Sequence, residues 1–375
     1  MIRTDCRHFR AAKPCTFNKI DGSECPDCRH VSPFGERVLI IKLDAIGDVL
    51  RSACLLPAIA ARHDRPYVAW LTRPESAELV GMMRGVDETL VLASDTLARI
   101  AAGGWARIYS LSNDLQSASL ATLAAGEAEV VGFSLRGGTI SPSNDAARAW
   151  LELAAFDRLK KLNRATYQAR MLAILGAGAE AVPPPALDVA LSVRQEAAAR
   201  VASLFPGSRR RRLGINAGSG ARWPKKMLDD EGIARVIEAV LAQADVDILL
   251  LGADAERAKT EAVLARFAGE PRVAAALTGG SIAAFVATLG EVRALLCGDT
   301  LALHAATAIG LPTVAVFGPT SLPEIEDFGG LVSKVAAEEL DCLGCYGDCG
   351  KERHCMALLD PVRLAGMLLA RLGAG

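Results

Sequence analysis

The sequence predicts an α/β protein built from two doubly wound, Rossmann-like domains facing a cleft, and three observations carry that prediction. Short apolar, β-branched runs alternate with segments of helical period from residue 38 to residue 133, and the same alternation begins again at residue 213. A proline-rich bridge containing Pro183-Pro184-Pro185 separates the two series. A chain of 375 residues is long enough to bury two substantial cores.

In the first series, residues 38–43 (VLIIKL) form a continuous apolar run of the kind found in a parallel strand covered on both faces. The run ends in Asp44-Ala45-Ile46-Gly47-Asp48, after which helical spacing continues to residue 61 and places Asp48 at a helix N-terminus. Strands are expected at 67–71, 88–92, 107–111 and 129–133. The polar stretch Ser141-Pro142-Ser143-Asn144 then interrupts the pattern, and residues 145–176 read as mostly helical. Residues 180–206 read as the bridge. The second series has strands at 213–216, 247–251, 294–297 and 313–317, with helices at 232–242, 255–267, 282–289 and 301–309. The implied segments are a Cys-rich extension (1–35), a first Rossmann-like domain (36–182), a second one (183–340), and a Cys-rich finger with a C-terminal helix (341–375, the helix over 360–372).

Composition excludes several classes. The chain is 51% hydrophobic and 23% charged with a formal net charge of -1, so an anionic partner must be recognised locally and nucleic acid is not expected. No apolar run approaches the roughly 20 residues of a membrane span, and the N-terminus is polar and Cys-rich rather than a signal peptide. A cytoplasmic location with at most peripheral membrane contact is therefore expected.

Eight of the ten cysteines fall into two compact groups, Cys6, Cys15, Cys25 and Cys28, and Cys342, Cys345, Cys349 and Cys355. Each group contains one C-x-x-C and supplies the four thiolates of a closed structural site, so zinc or iron is the expected occupant in a reducing compartment. Free thiols are the competing reading. His8, His30 and His354 lie close enough in sequence to replace a cysteine. Cys54 and Cys297 sit in apolar surroundings and read as core.

The densest polar cluster follows the strand at 294–297, where Gly298-Asp299-Thr300 turns into a helix carrying His304. A turn at the carboxyl end of a strand and the amino end of a helix offers free N–H groups to an anion, although Asp299 or Thr300 as a simple cap and Asp48 as another cap are the competing readings. Asn216-Ala217-Gly218-Ser219-Gly220 is a second glycine-rich loop after a strand, and its amides suit phosphate.

Gly298-Asp299-Thr300, His304 and Phe317-Gly318-Pro319-Thr320 together resemble the nucleotide-sugar site of glycosyltransferase family 9, the bacterial heptosyltransferases, with Leu301 standing where the family usually has Gly. Residues 42–59 (KLDAIGDVLRSACLLPAI) resemble the family's first strand and loop, whose proposed catalytic Asp maps onto Asp48. The resemblance implies a GT-B-type inverting enzyme that moves heptose from ADP-heptose to a lipopolysaccharide core, protein or other glycan acceptor, with Asp48 as general base and Asp44 as its alternative. It implies Gly218, Ser219, Lys226, Glu256, Asp299, Thr300 and His304 as donor-binding residues, with Arg222 and Lys225 as rivals of Lys226 for the diphosphate, and no catalytic divalent metal. Residues 342–355 (CLGCYGDCGKERHC) resemble the C-terminal finger of bacterial autotransporter heptosyltransferases, which carry a Cys-bound iron. The plan implies a last helix that returns to the first domain. A sugar-nucleotide epimerase on the same plan and a non-catalytic metal- or redox-sensing protein are the alternatives.

Overall fold

The computed structural model describes residues 1–178, 182–218, 224–347, 349–351 and 354–373. The chain divides into two compact units: Met1–Ala45, Cys54–Ala155 and Arg170–Glu180 form one, and Ile46–Ala53, Phe156–Ala169 and Ala181–Gly375 form the other. Two short segments, one of them carrying Asp48, thus leave the first series and pack with the second.

The first unit is a six-stranded sheet of β1 (Arg37–Ile41), β2 (Tyr67–Thr72), β3 (Glu88–Val91), β4 (Arg107–Ser110), β5 (Glu129–Arg136) and β6 (Thr139–Pro142), in the order β3-β2-β1-β4-β5-β6. β1 lies between parallel β2 and β4, pairing Arg37 to Tyr67 and Val38 to Arg107, and Val38, Leu39, Ile40 and Ile41 are fully buried. Burial on both faces explains why this strand reads as an unbroken apolar run. β6 is an antiparallel edge strand where the sequence suggested only a polar interruption. An edge strand tolerates proline and solvent-facing polar residues, so Thr139–Pro142 carries no period-2 signal.

The second unit repeats the topology. Its strands are β7 (Arg212–Asn216), β8 (Asp247–Gly252), β9 (Val273–Leu277), β10 (Ala294–Gly298), β11 (Thr313–Phe317) and β12 (Val332–Ala336), in the order β12-β11-β10-β7-β8-β9, all parallel. Each sheet therefore reverses direction between its first and fourth strands, and ligands of such sheets bind at the carboxyl ends beside that reversal. In the second unit this point is flanked by the turns after β7 and β10.

The helix expected over 49–61 is broken into Ile46–Arg51, a 3-10 turn at Ser52–Leu55, and Leu56–Ala60. Pro57 explains the break, because it lacks an N–H and its ring clashes with the carbonyl four residues back. The bridge read over 180–206 is in its second half a helix, Leu191–Leu204, whose Arg200 donates to the Thr288 hydroxyl at 2.6 Å on the Ile282–Leu289 helix. The C-terminal helix Pro361–Ala370, expected to return to the first domain, packs within the second unit. Leu364, Ala365 and Leu368 are buried in the second unit's core with Ile233, Val236, Ile237 and Val240 of the Asp230–Gln243 helix. Apolar spacing shows that a helix needs a partner without saying which partner. Among the described residues, no helix is long and apolar enough to cross a membrane.

Gly132 marks the point where β5 leaves its parallel pairing with β4 and turns to β6. Its φ of 104° lies in glycine territory, and a Cβ there would collide with the Ser110 carbonyl. Gly132→Ala is expected to lower unfolding free energy by roughly 1–3 kcal/mol in urea denaturation. Gly366, inside the C-terminal helix with open space around it, should gain roughly 0.4–1 kcal/mol on the same change. Equal effects at the two positions would contradict the geometry.

Candidate active site

The site is built outward from the end of β10. Gly298 lies so close to the Lys226–Met227 backbone that any side chain would displace it. The glycine thereby lets Lys226 reach the turn, where its ammonium donates to the Asp299 carbonyl at 3.2 Å and stands 3.8 Å from the Asp299 carboxylate. Thr300 occupies the N-cap position of the helix Leu301–Ala308, yet its hydroxyl makes no cap bond and is buried without a partner among the described residues. The Thr320 hydroxyl, closing the turn after β11, is likewise buried and unpartnered. Buried hydroxyls are normally paired, so these two are exceptions.

His304 lies one turn into that helix, 7% exposed, its Nε2 3.8 Å from Asp299 Oδ1. Burial first, then Arg51 and Lys226, push its pKa down to about 4 against the opposing pull of Asp299 and Asp48. The ring is therefore neutral at pH 7. It packs against Gly47, where a Cβ would stand 3.0 Å from its Cδ2, so the first residues of the Ile46–Arg51 helix rest on the Leu301–Ala308 helix.

Asp48 sits in the first turn of that short helix, and its Oδ1 is 2.6 Å from Arg51 NH2 one turn further on. Arg51 lies 3.7 Å over the ring of Tyr167. Burial works against the guanidinium charge, but Asp48, Tyr167, Asp299 and Glu324 outweigh it, and the pKa of Arg51 is raised. Glu324, in the 3-10 turn Leu322–Glu324, is shifted upward chiefly by burial. Tyr346, in the left-handed region at φ 49°, accepts the Ser321 N–H at 3.3 Å and is bonded to Glu324. Proton acceptors, a neutral imidazole and two cations thus share one unit.

Asp44 lies in the other unit, where its carboxylate accepts from the Ser112 hydroxyl and pairs with Lys42 at 2.7 Å. Gly218 and Glu256 meet each other at the ends of β7 and β8, and the Glu256 carboxylate accepts the Ala253 N–H at 2.9 Å. Lys225 points elsewhere, donating to the Cys349 carbonyl. Ser219 and Arg222 lie outside the described residues. Sequence reasoning passed over Arg51, Tyr167, Glu324 and Tyr346. Only Arg51 carried a signal, the i,i+3 spacing from Asp48 on a helix.

None of the ten cysteines is in a disulfide, and Cys54 and Cys297 are fully buried in the cores. Among the described residues, no three histidine, cysteine or acidic side chains stand at metal-binding distances. Even so, Cys342, Cys345, Cys349, Cys355 and His354 line one cavity of about 20 Å³, which has room for a single water or ion. In the N-terminal group, Cys6, Cys15 and Cys28 each accept a backbone N–H, from Ser32, Asn18 and His30, at 3.4–3.5 Å.

The family model described as glycosyltransferase family 9 (heptosyltransferase) matches residues 98–348, more than half of the chain. No curated protein sequence matches it. Among solved structures, Escherichia coli ADP-heptose lipopolysaccharide heptosyltransferase II is 17% identical with a TM-score of 0.68, over 90% of this chain and 98% of that one. A family 9 glycosyltransferase from Veillonella parvula is 14% identical with a TM-score of 0.70, over 91% and 98%. The iron-containing dodecameric glycosyltransferase TibC of enterotoxigenic E. coli is 12% identical with a TM-score of 0.53, over 94% and 80%.

The burial of His304 has a pH signature. As pH falls from the unfolded value near 6.5 toward 4, the unfolded chain takes up a proton that the folded ring refuses, so this residue lowers stability progressively across that window. Histidine-selective NMR, with His304→Gln to assign the signal, should show this ring still neutral at pH 5.5. A midpoint near 6.5 would remove the burial argument.

Proposed function

The chain belongs to glycosyltransferase family 9, on a two-domain GT-B-type α/β fold, and from that premise we propose that it moves a heptose from ADP-heptose to a hydroxyl acceptor with inversion. The observation that carries this reading is the packing of Asp48 and the Asp299 turn into one unit through the contact of Gly47 with His304. The donor is suggested by the substrate in the name of the E. coli enzyme.

In this reading the acceptor oxygen attacks the anomeric carbon while its proton passes to the Asp48 carboxylate. The bond from the sugar to the β-phosphate breaks on the opposite face, and the leaving ADP takes the electron pair. Lys226 and the N-terminal end of the Leu301–Ala308 helix meet that charge, with the hydroxyls of Thr300 and Thr320 as further donors. Gly218 and Ser219 bring backbone amides to the donor phosphates, and Glu256 accepts from donor hydroxyls. Lipopolysaccharide core, a protein side chain and another glycan all offer the hydroxyl this chemistry needs.

Asp48→Asn keeps the shape and removes the base, so turnover of ADP-heptose should fall roughly 100- to 10,000-fold while donor affinity barely changes. Asp299→Ala should instead weaken donor binding by about tenfold or more. Isothermal titration with ADP-heptose, and mass spectrometry of candidate acceptors, read the two effects separately. Near-normal turnover in Asp48→Asn would move the base to Asp44, and an epimerised donor in the absence of acceptor would change the reaction class.

The two cysteine groups complete the proposal as structural zinc or iron sites. The C-terminal set supports this by its donor chemistry, four soft thiols lining one cavity, and the thiols would have to draw together to ligate an ion, since no three stand at metal-binding distances among the described residues. Cys342, Cys345, Cys349 and Cys355 would hold one ion, and Cys6, Cys15, Cys25 and Cys28 another. Four thiolates leave no open coordination position, so such an ion stabilises the fold without touching substrate. Elemental analysis of protein purified without chelator should find close to one ion per group, and Cys342→Ser should lower the melting temperature more than Cys54→Ser. Metal-free protein after anaerobic purification would remove this part of the reading.

A further inference from the structure

Arg51 stands out because the reaction just described makes no use of it. Its guanidinium touches Asp48 at 2.6 Å and covers the Tyr167 ring at 3.7 Å, and its Nε is buried with no hydrogen-bond partner among the described residues. The side chain is 13% exposed, which is unusual for an arginine with a single close carboxylate. Tyr167 in turn fixes the helix from its other end. Its hydroxyl and that of Ser52 are 2.7 Å apart, and the Ser52 hydroxyl donates to the Asp48 carbonyl at 2.7 Å. One aromatic residue, from a segment more than a hundred positions away, therefore holds both the partner of the Asp48 carboxylate and the carbonyl of the same residue.

The surrounding charges give the arrangement a purpose. Asp48, Asp299 and Glu324 all act on Arg51, and Lys226 is bound to the Asp299 carbonyl. Lys226 faces Asp299, whereas Arg51 contacts the Asp48 carboxylate, so removing Arg51 takes away a cation that orients it. We propose that Arg51 is the positioning residue of the reaction: seated on Tyr167, it holds the Asp48 carboxylate in place and aims it at the acceptor hydroxyl. The inference rests on Asp48 being the base.

The test is a double-mutant cycle on the full chain, read as release of ADP from ADP-heptose with water in the acceptor's place. Arg51→Met should lower turnover roughly 10- to 100-fold, the scale expected when a reacting group is misplaced, with little change in donor affinity. In an Asp48→Asn background the same change should cost almost nothing, because a residue that acts through Asp48 has nothing left to position. Tyr167→Phe keeps the ring under the guanidinium and should retain most activity, whereas Tyr167→Leu should behave like Arg51→Met. Arg51→Lys, which keeps a charge but loses the planar stack and fork, should fall between, and it serves if Arg51→Met fails to fold. Losses that multiply in the double variant, or a weakening of ADP-heptose binding equal to the loss of turnover, would overturn the proposal. Normal turnover in Asp48→Asn alone would instead defeat the base reading beneath it, and the cycle separates the two failures.

Discussion

A guanidinium taken out of water must be met by opposite charge and by a surface that tolerates it, or the fold loses several kcal/mol. Arg51 meets both conditions within one unit, through Asp48 beside it and Tyr167 beneath it. Much of the local chain path follows from this. Ile46–Ala53 and Phe156–Ala169 leave the series in which they occur and pack with the second unit, and the contacts named for Arg51, Ser52 and Tyr167 join those two segments directly. Thr166 extends the same seam by donating to the Glu326 carboxylate at 2.9 Å.

Close approach to the backbone is the second organising feature, and Gly298 and Gly318 permit it beside the candidate site. At Gly298 the missing side chain admits the Lys226 backbone to the end of β10. At Gly318 it admits Cys355 and Met356, while the Gly318 and Pro319 carbonyls accept the N–H groups of Gly344 and Tyr346 at 2.8 Å. The C-terminal cysteine segment is thus fastened to the turn after β11, and Tyr346 from that segment reaches Ser321 and Glu324. Lys225 adds a third link through the Cys349 carbonyl, one residue from the Lys226 that meets Asp299. Whatever stabilises the cysteine segment also stabilises a wall of the site.

The polar residues of the Asp299 turn were legible because they follow a strand end, where an α/β sheet exposes its loops, and because they stand in a recognisable order. Thr300 shows how the structure refines such a reading. Its position suggested a cap, and its hydroxyl is instead buried without a partner among the described residues. Lys226 and Lys225 are neighbours with similar sequence surroundings, and only their different backbone directions send one to Asp299 and the other to Cys349. Glu324 and Tyr346 gave no signal, since both belong to irregular turns whose residues carry no period.

By itself the sequence determined the two alternating series, the buried central strands and the strand-end turns, because periodicity and β-branched runs are local consequences of which faces are covered. It also determined the grouping of the cysteines and the candidate base. Tertiary structure alone decided which unit the Asp48 helix joins, that the C-terminal helix packs on the second core, and that the bridge contains a helix. It also set Arg51 on Tyr167. These outcomes depend on contacts between residues far apart in the chain, and an apolar or charged side chain shows that it needs a partner without showing which distant residue supplies one.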